Sequence, residues 1–94
     1  MKLGTIVKII KTGAMYSRCY TLANRLHLTR YTGDTFFHLY KDDRVPDKLF
    51  KIVAHDLSRD IYGISDLDTK HEYLIGARGI RENELSLETF LSEA

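Results

Sequence analysis

The chain contains no tryptophan, one proline and one cysteine in 94 residues. A lone cysteine, Cys19, excludes an intramolecular disulfide framework, so a reducing compartment is the expected setting and the cytoplasm the expected localisation. Uncharged apolar runs reach only three or four residues, far short of the roughly 20 that span a bilayer. Lys8 interrupts the apolar start "MKLGTIVKII" before a signal-peptide core could form, and the expectation is a chain neither secreted nor inserted. Low-complexity tracts, internal repeats and interdomain linkers are also missing, which leaves residues 1–94 to be read as a single domain.

Carboxylates are the other shortage. The first is Asp34, and residues 1–33 carry Lys2, Lys8, Lys11, Arg18, Arg25 and Arg30 with no acidic residue among them. A net charge of +1 therefore conceals an asymmetry: residues 1–51 hold ten Lys and Arg against four Asp, and residues 52–94 hold four against nine Asp and Glu. Such a split suggests a polyanion-binding face, or halves of a chain that attract each other. Hydrophobic content of 44% with 29% charged residues suits a folded protein and argues against intrinsic disorder. At this length folding hides only about 60 to 65% of the surface of the unfolded chain, so stability is expected to be modest.

The pattern of what is present predicts a mainly β, α+β chain. The β-branched residues Ile6, Val7, Ile9 and Ile10 predict a strand over about 5–11, closed by Thr12 and Gly13. Cys19, Leu22, Ala23 and Leu26 fall at i, i+3, i+4 and i+7 and predict a helix over about 17–28, with Ser17 as its N-cap. Tyr20 on this helix is expected to reach the core. "TFFHLYK", residues 35–41, reads as a strand from its aromatic and β-branched content, and "DDRVPDK" as a loop. Downstream, "KLFKIVAHDL" places Phe50, Ile52 and Ala54 on one face. "IYGISDL" and "HEYLIGAR" follow as two more strands across "SRD" and "DTK" turns, and the three form a meander. Gly63 and Gly76 inside these strands predict bulges or close backbone approach. The tail supports either a closing strand through Leu85 and Leu87 followed by a helical turn, or a helix with Leu87, Phe90 and Leu91 along one side.

Catalytic and metal chemistry find little support. Cys19 lies on the helix's apolar stripe, where a thiol stays protonated, and no adjacent base accompanies it. His27, His38, His55 and His71 lack any paired ligand spacing. "DLDTK" around Asp66 and Asp68 lacks the further oxygen donors of a calcium loop and reads as a hairpin turn. "GARG" has no lysine or strand-to-helix context that would make it a phosphate loop. The expected protein is not an enzyme and takes no cofactor or metal.

One strand, a helical excursion, a meander and a short closing strand entered through "GI" together resemble a Src-homology-3-like small antiparallel barrel. The resemblance is carried by "KIVAHD", "IYGISDLDTKHEYLIGARGI" and "NELSL" in the second half of the chain, with the helix at about 17–28 as an insertion that departs from the pattern. It implies a binding module. The chain also resembles small accessory proteins of bacteriophages, which implies a host factor as partner.

The basic opening region supplies the candidate site: Lys8, Lys11, Arg18, Arg25 and Arg30, with Tyr16 and Tyr31 among them. Arg18 and Arg25 are seven residues apart and project from one helix face. Two partners fit this chemistry. Tyrosine is enriched at interface centres, six of the ten aromatic residues are Tyr, and the pI of about 7.9 is lower than a dedicated nucleic-acid domain shows, so a protein partner ranks first. Nucleic acid, held through phosphates on Lys and Arg and bases on Tyr rings, is the alternative. A basic first half and an acidic tail also allow a homo-oligomer.

Overall fold

The computed structural model describes residues 1–33 and 48–83. Their strands are β1 (Ile6–Ile9), β2 (Met15–Tyr16), β3 (Phe50–Asp56), β4 (Ile61–Asp66), β5 (Glu72–Gly76) and β6 (Ile80–Glu82), and the helix α1 covers Tyr20–Arg25. The strands pair antiparallel in the order β2-β5-β4-β3-β1-β6, forming a sheet curled into a half-barrel. The mainly β expectation holds, as does the meander of β3, β4 and β5. Strand 35–41 and the closing strand through Leu85 and Leu87 lie outside the described residues. Within them, β6 already begins at Ile80.

The curl follows from how the two ends of the described chain meet. β1 runs against β6, with Val7 opposite Glu82 and Ile9 opposite Ile80. β2 runs against β5, with Met15 opposite Ile75. Both segments break into 3₁₀ turns that touch, Thr12–Ala14 on one and Ala77–Gly79 on the other. Gly79 permits the crossing. A Cβ there would lie 2.6 Å from the Ala14 Cβ and 2.8 Å from Ile75, while its carbonyl accepts the Ile10 and Lys11 N–H groups at 2.8 and 3.2 Å.

Strand alternation divides the core into two clusters. The inner one gathers Val7, Ile9, Phe50, Ile52, Tyr62, Ile64, Tyr73, Ile75 and Ile80. The outer one joins α1 to the other face of the meander through Ala23, Leu28, Ala54, Ile61 and Leu74, with Cys19, Leu22, Leu26, Tyr31 and Val53 packed against it. Sequence alternation assigns Ala54 to the face of Phe50 and Ile52, and the structure corrects this. The β3–β4 register shifts between Ile52 and Ala54, and the extra residue turns Ala54 toward the helix. The irregularity thus sits across from Gly63, on the partner strand. Gly63 serves close approach: a Cβ there would meet the Ala54 Cβ at 3.1 Å and the Leu28 Cδ2 at 3.2 Å.

The helix is shorter than its periodicity suggests, six residues where 17–28 was expected. At its start the N-cap is Cys19, not Ser17, and it makes no side-chain cap hydrogen bond. At its end His27 takes φ 60, with His27 N–H donating to the Asn24 carbonyl at 3.1 Å and Leu28 N–H to that of Ala23 at 2.9 Å. These are the two bonds of a Schellman C-terminus. They stop the helix and aim Leu28 into the outer cluster.

Two side chains set the meander turns. The Asp56 carboxylate accepts Ser58 N–H at 3.1 Å, Ser58 Oγ at 2.8 Å and Arg59 Nη1 at 2.9 Å. These bonds, Ser58 first, hold its pKa below the ordinary 3.8. In the next turn Asp66, 1% exposed, accepts Asp68 N–H at 2.8 Å and Lys48 Nζ at 3.3 Å. "DLDTK" is a hairpin turn, as read.

Candidate functional site

The chain between β2 and α1 has no regular structure, and it is fixed from below by one phenol. Tyr31 Oη donates to the Tyr16 carbonyl at 3.1 Å and accepts the Cys19 N–H at 3.4 Å, which ties both ends of residues 16–19 to one ring. Burial, the largest influence, raises the Tyr31 pKa from its ordinary 10.0. Between these ends Arg18 adopts φ 60, and its N–H donates to the Gly33 carbonyl at 3.3 Å. A non-glycine residue held there costs about 1 kcal/mol or more and persists because its surroundings impose it.

Above this braced segment lies an open groove of about 350 Å³, lined by Tyr16, Arg18, Cys19, Thr21, Leu22, Arg25, Arg59 and Ile61. β2 supplies the Tyr16 ring, which is 41% exposed. The helix supplies Leu22 and Arg25, and the β3–β4 turn brings Arg59 and Ile61 from far along the chain. A second hollow of about 340 Å³ adjoins it, shares Tyr16 and Arg59, and adds Asp60, Ala77 and Arg78. Arg59 is paired with Asp56 at 2.9 Å, and Asp60 with His55 at 3.2 Å. The His55 ring is stacked on Tyr62 at 4.0 Å.

The candidate residues read from the sequence divide into groups. Arg18, Arg25 and Tyr16 meet at the groove. Tyr31 is its brace, half-buried with its hydroxyl engaged. Lys8 sits on β1, directly opposite Arg81 of β6, and exposed Lys11 follows β1 beside Gly79. Arg30 leads from α1 toward β5. There its N–H donates to Glu72 Oε1 at 2.6 Å, and its carbonyl accepts the Glu72 N–H. None of the last three lines either hollow.

Tyr20, expected in the core, is instead 53% exposed. It stands edge-on to Tyr31, with centroids 5.6 Å apart, and fills the space where a Gly33 side chain would go. Arg59, Ile61, Leu22 and Arg78 escaped sequence reasoning as site residues. Only the turn-forming character of "SRD" marked the neighbourhood of Arg59, and nothing in linear spacing joins it to Tyr16.

Among the described residues no group of three or more His, Cys, Asp or Glu side chains could hold a metal ion, and no helix is long and apolar enough to cross a membrane. The groove itself presents apolar surface, one aromatic ring and guanidinium donors. No protein-family model, curated protein or solved structure matches this chain in comparison, so the groove is read from its own chemistry.

Proposed function

We propose that the protein is a non-enzymatic binding module whose partner is another protein, held at the groove between β2, α1 and the β3–β4 turn. The carrying observation is that an exposed Tyr16 ring, apolar Leu22 and Ile61, and three arginines line one groove. Tyr and Arg dominate the energetics of protein interfaces, and an apolar floor inside a polar rim is the usual anatomy of one. The finer architectural reading, a Src-homology-3-like barrel, belongs to the same proposal. It is supported by the antiparallel course of residues 7–16 against 74–82 and by the matched 3₁₀ breaks. Such folds host many functions, so the groove and not the barrel argues for binding.

Nucleic acid is the second reading, favoured by the absence of any carboxylate in residues 1–33. Selection of an unbiased random-peptide display library on the folded chain separates the two, run beside anisotropy titration with a labelled oligothymidylate. Enriched peptides whose binding is lost in Tyr16→Ala support the protein reading. Failure to enrich any Tyr16-dependent peptide overturns it, and oligothymidylate binding that weakens steeply with salt turns the assignment to nucleic acid.

A further inference from the structure

The two kinds of surface in the groove are set side by side in a particular way. Tyr16, Leu22 and Ile61 give it apolar walls, and no carboxylate is among the residues that line it. Of its three arginines, Arg59 already faces Asp56 at 2.9 Å. Arg18 and Arg25 do not have such a partner: among the described residues neither makes an ion pair. The Arg18 backbone is also set in advance, held left-handed by its bond to Gly33 and flanked by the Tyr31 bridge from Tyr16 to Cys19. Guanidinium forks match carboxylates in geometry, and a backbone already fixed has less freedom to lose on binding than a mobile one.

From this juxtaposition we infer that the groove takes an acidic peptide segment carrying one bulky apolar side chain. The apolar side chain seats among Tyr16, Leu22 and Ile61, and flanking carboxylates meet Arg18 and Arg25. The inference rests on the protein-binding reading above and narrows it to a ligand chemistry. Single-stranded nucleic acid fits this place less well. Continuous stacking needs successive free rings, whereas Tyr16 is the one aromatic ring in the groove lining, with Tyr31 turned to bracing.

The test uses the full chain, fluorescence anisotropy and four labelled probes. One peptide carries Leu-Phe flanked on both sides by glutamates, a second replaces Leu-Phe by Ala-Ala, a third replaces the glutamates by lysines, and the fourth probe is an oligothymidylate. The first peptide is expected to bind about ten-fold or more tighter than the other two, with the charged contribution falling as salt screens it. Arg25→Glu, a change at an exposed helix position, weakens it by about ten-fold, and a thermal melt verifies that the variant is folded. Cys19 lies on the groove wall, and occupancy is expected to slow its alkylation by iodoacetamide, which places the ligand there. Equal affinity for the three peptides, no binding of the first, unchanged affinity in Arg25→Glu, or unprotected Cys19 overturns the acidic-ligand inference. In those cases the protein-binding reading still stands or falls by the library selection. Tighter binding of the oligothymidylate than of any peptide overturns both.

Discussion

At Gly79 the reason for glycine is space. A methyl group there would sit 2.6 Å from the Ala14 Cβ and 2.8 Å from Ile75, whereas a Cβ at Gly13 meets nothing within 4 Å. Gly79→Ala is therefore expected to destabilise by about 1–3 kcal/mol, the usual cost of overpacking. Gly13→Ala should change stability by less than about 0.5 kcal/mol. Urea denaturation followed by circular dichroism checks the pair. Tyr31 makes a second residue-scale prediction. Tyr31→Phe removes the hydroxyl from Tyr16 and Cys19 and should cost about 1 kcal/mol near neutral pH. Its pKa is raised by burial from 10.0, so the unfolded chain ionises first as pH climbs. The stability due to the neutral phenol is complete below pH 10.0 and is lost as pH rises toward and through the raised folded value. The gap between wild type and Tyr31→Phe should accordingly close in alkaline denaturation curves; a gap that stays constant would show that the ring ionises alike in both states.

At the scale of elements, α1 is too short to persist alone, since isolated helices of fewer than about 12 residues are marginal in water. Its stability comes from docking Ala23 and Leu28 on Ala54, Ile61 and Leu74. Leu28→Ala is expected to cost about 2–4 kcal/mol. Amide exchange over Tyr20–Arg25 should accelerate more than in β4, because the mutation loosens the helix before it loosens the sheet. The helix end offers an opposite change. His27 at φ 60 occupies the position glycine favours, so His27→Gly is expected to raise stability by up to about 1 kcal/mol, read as an increase in Tm. Ser17 has cap chemistry, yet the helix starts only at Tyr20. Residues 16–19 are instead committed to the Tyr31 and Gly33 contacts, so tertiary hydrogen bonds overrode a local preference. The meander was easier to read. Alternation in Tyr73, Leu74 and Ile75 survives as two buried faces, and the β3 bulge, a change of one residue in register, was the sole break in it.

Across the described residues, the basic opening of the chain and its later stretch share one sheet. β1 lies between β3 and β6, so basic Lys8 stands opposite Arg81 and Val7 opposite Glu82 in one ladder. The meander strands β3, β4 and β5 carry residues of both clusters and so link them. Unfolding of the described sheet and helix is expected to be one transition, with coincident midpoints by far-ultraviolet dichroism and by tyrosine fluorescence. Midpoints that fail to coincide would mean that one cluster melts ahead of the other. The same folding sorts the candidate site: Arg18, Arg25 and Tyr16 share the groove, while Lys8, Lys11 and Arg30 serve other stretches of surface.

Strand character, the meander and the basic, carboxylate-free opening were all determined by the sequence, because β-branching, period-two alternation and formal charge are properties of neighbouring residues. The groove was decided only by tertiary structure. Its walls come from Tyr16 and from Arg59 and Ile61, more than 40 positions away, and they include Arg18, whose left-handed backbone donates its N–H to the Gly33 carbonyl in a segment that Tyr31 ties at Tyr16 and Cys19. Contacts of that range are set by how the sheet curls and by which carbonyl each donor finds, and neither is encoded in any short stretch of chain.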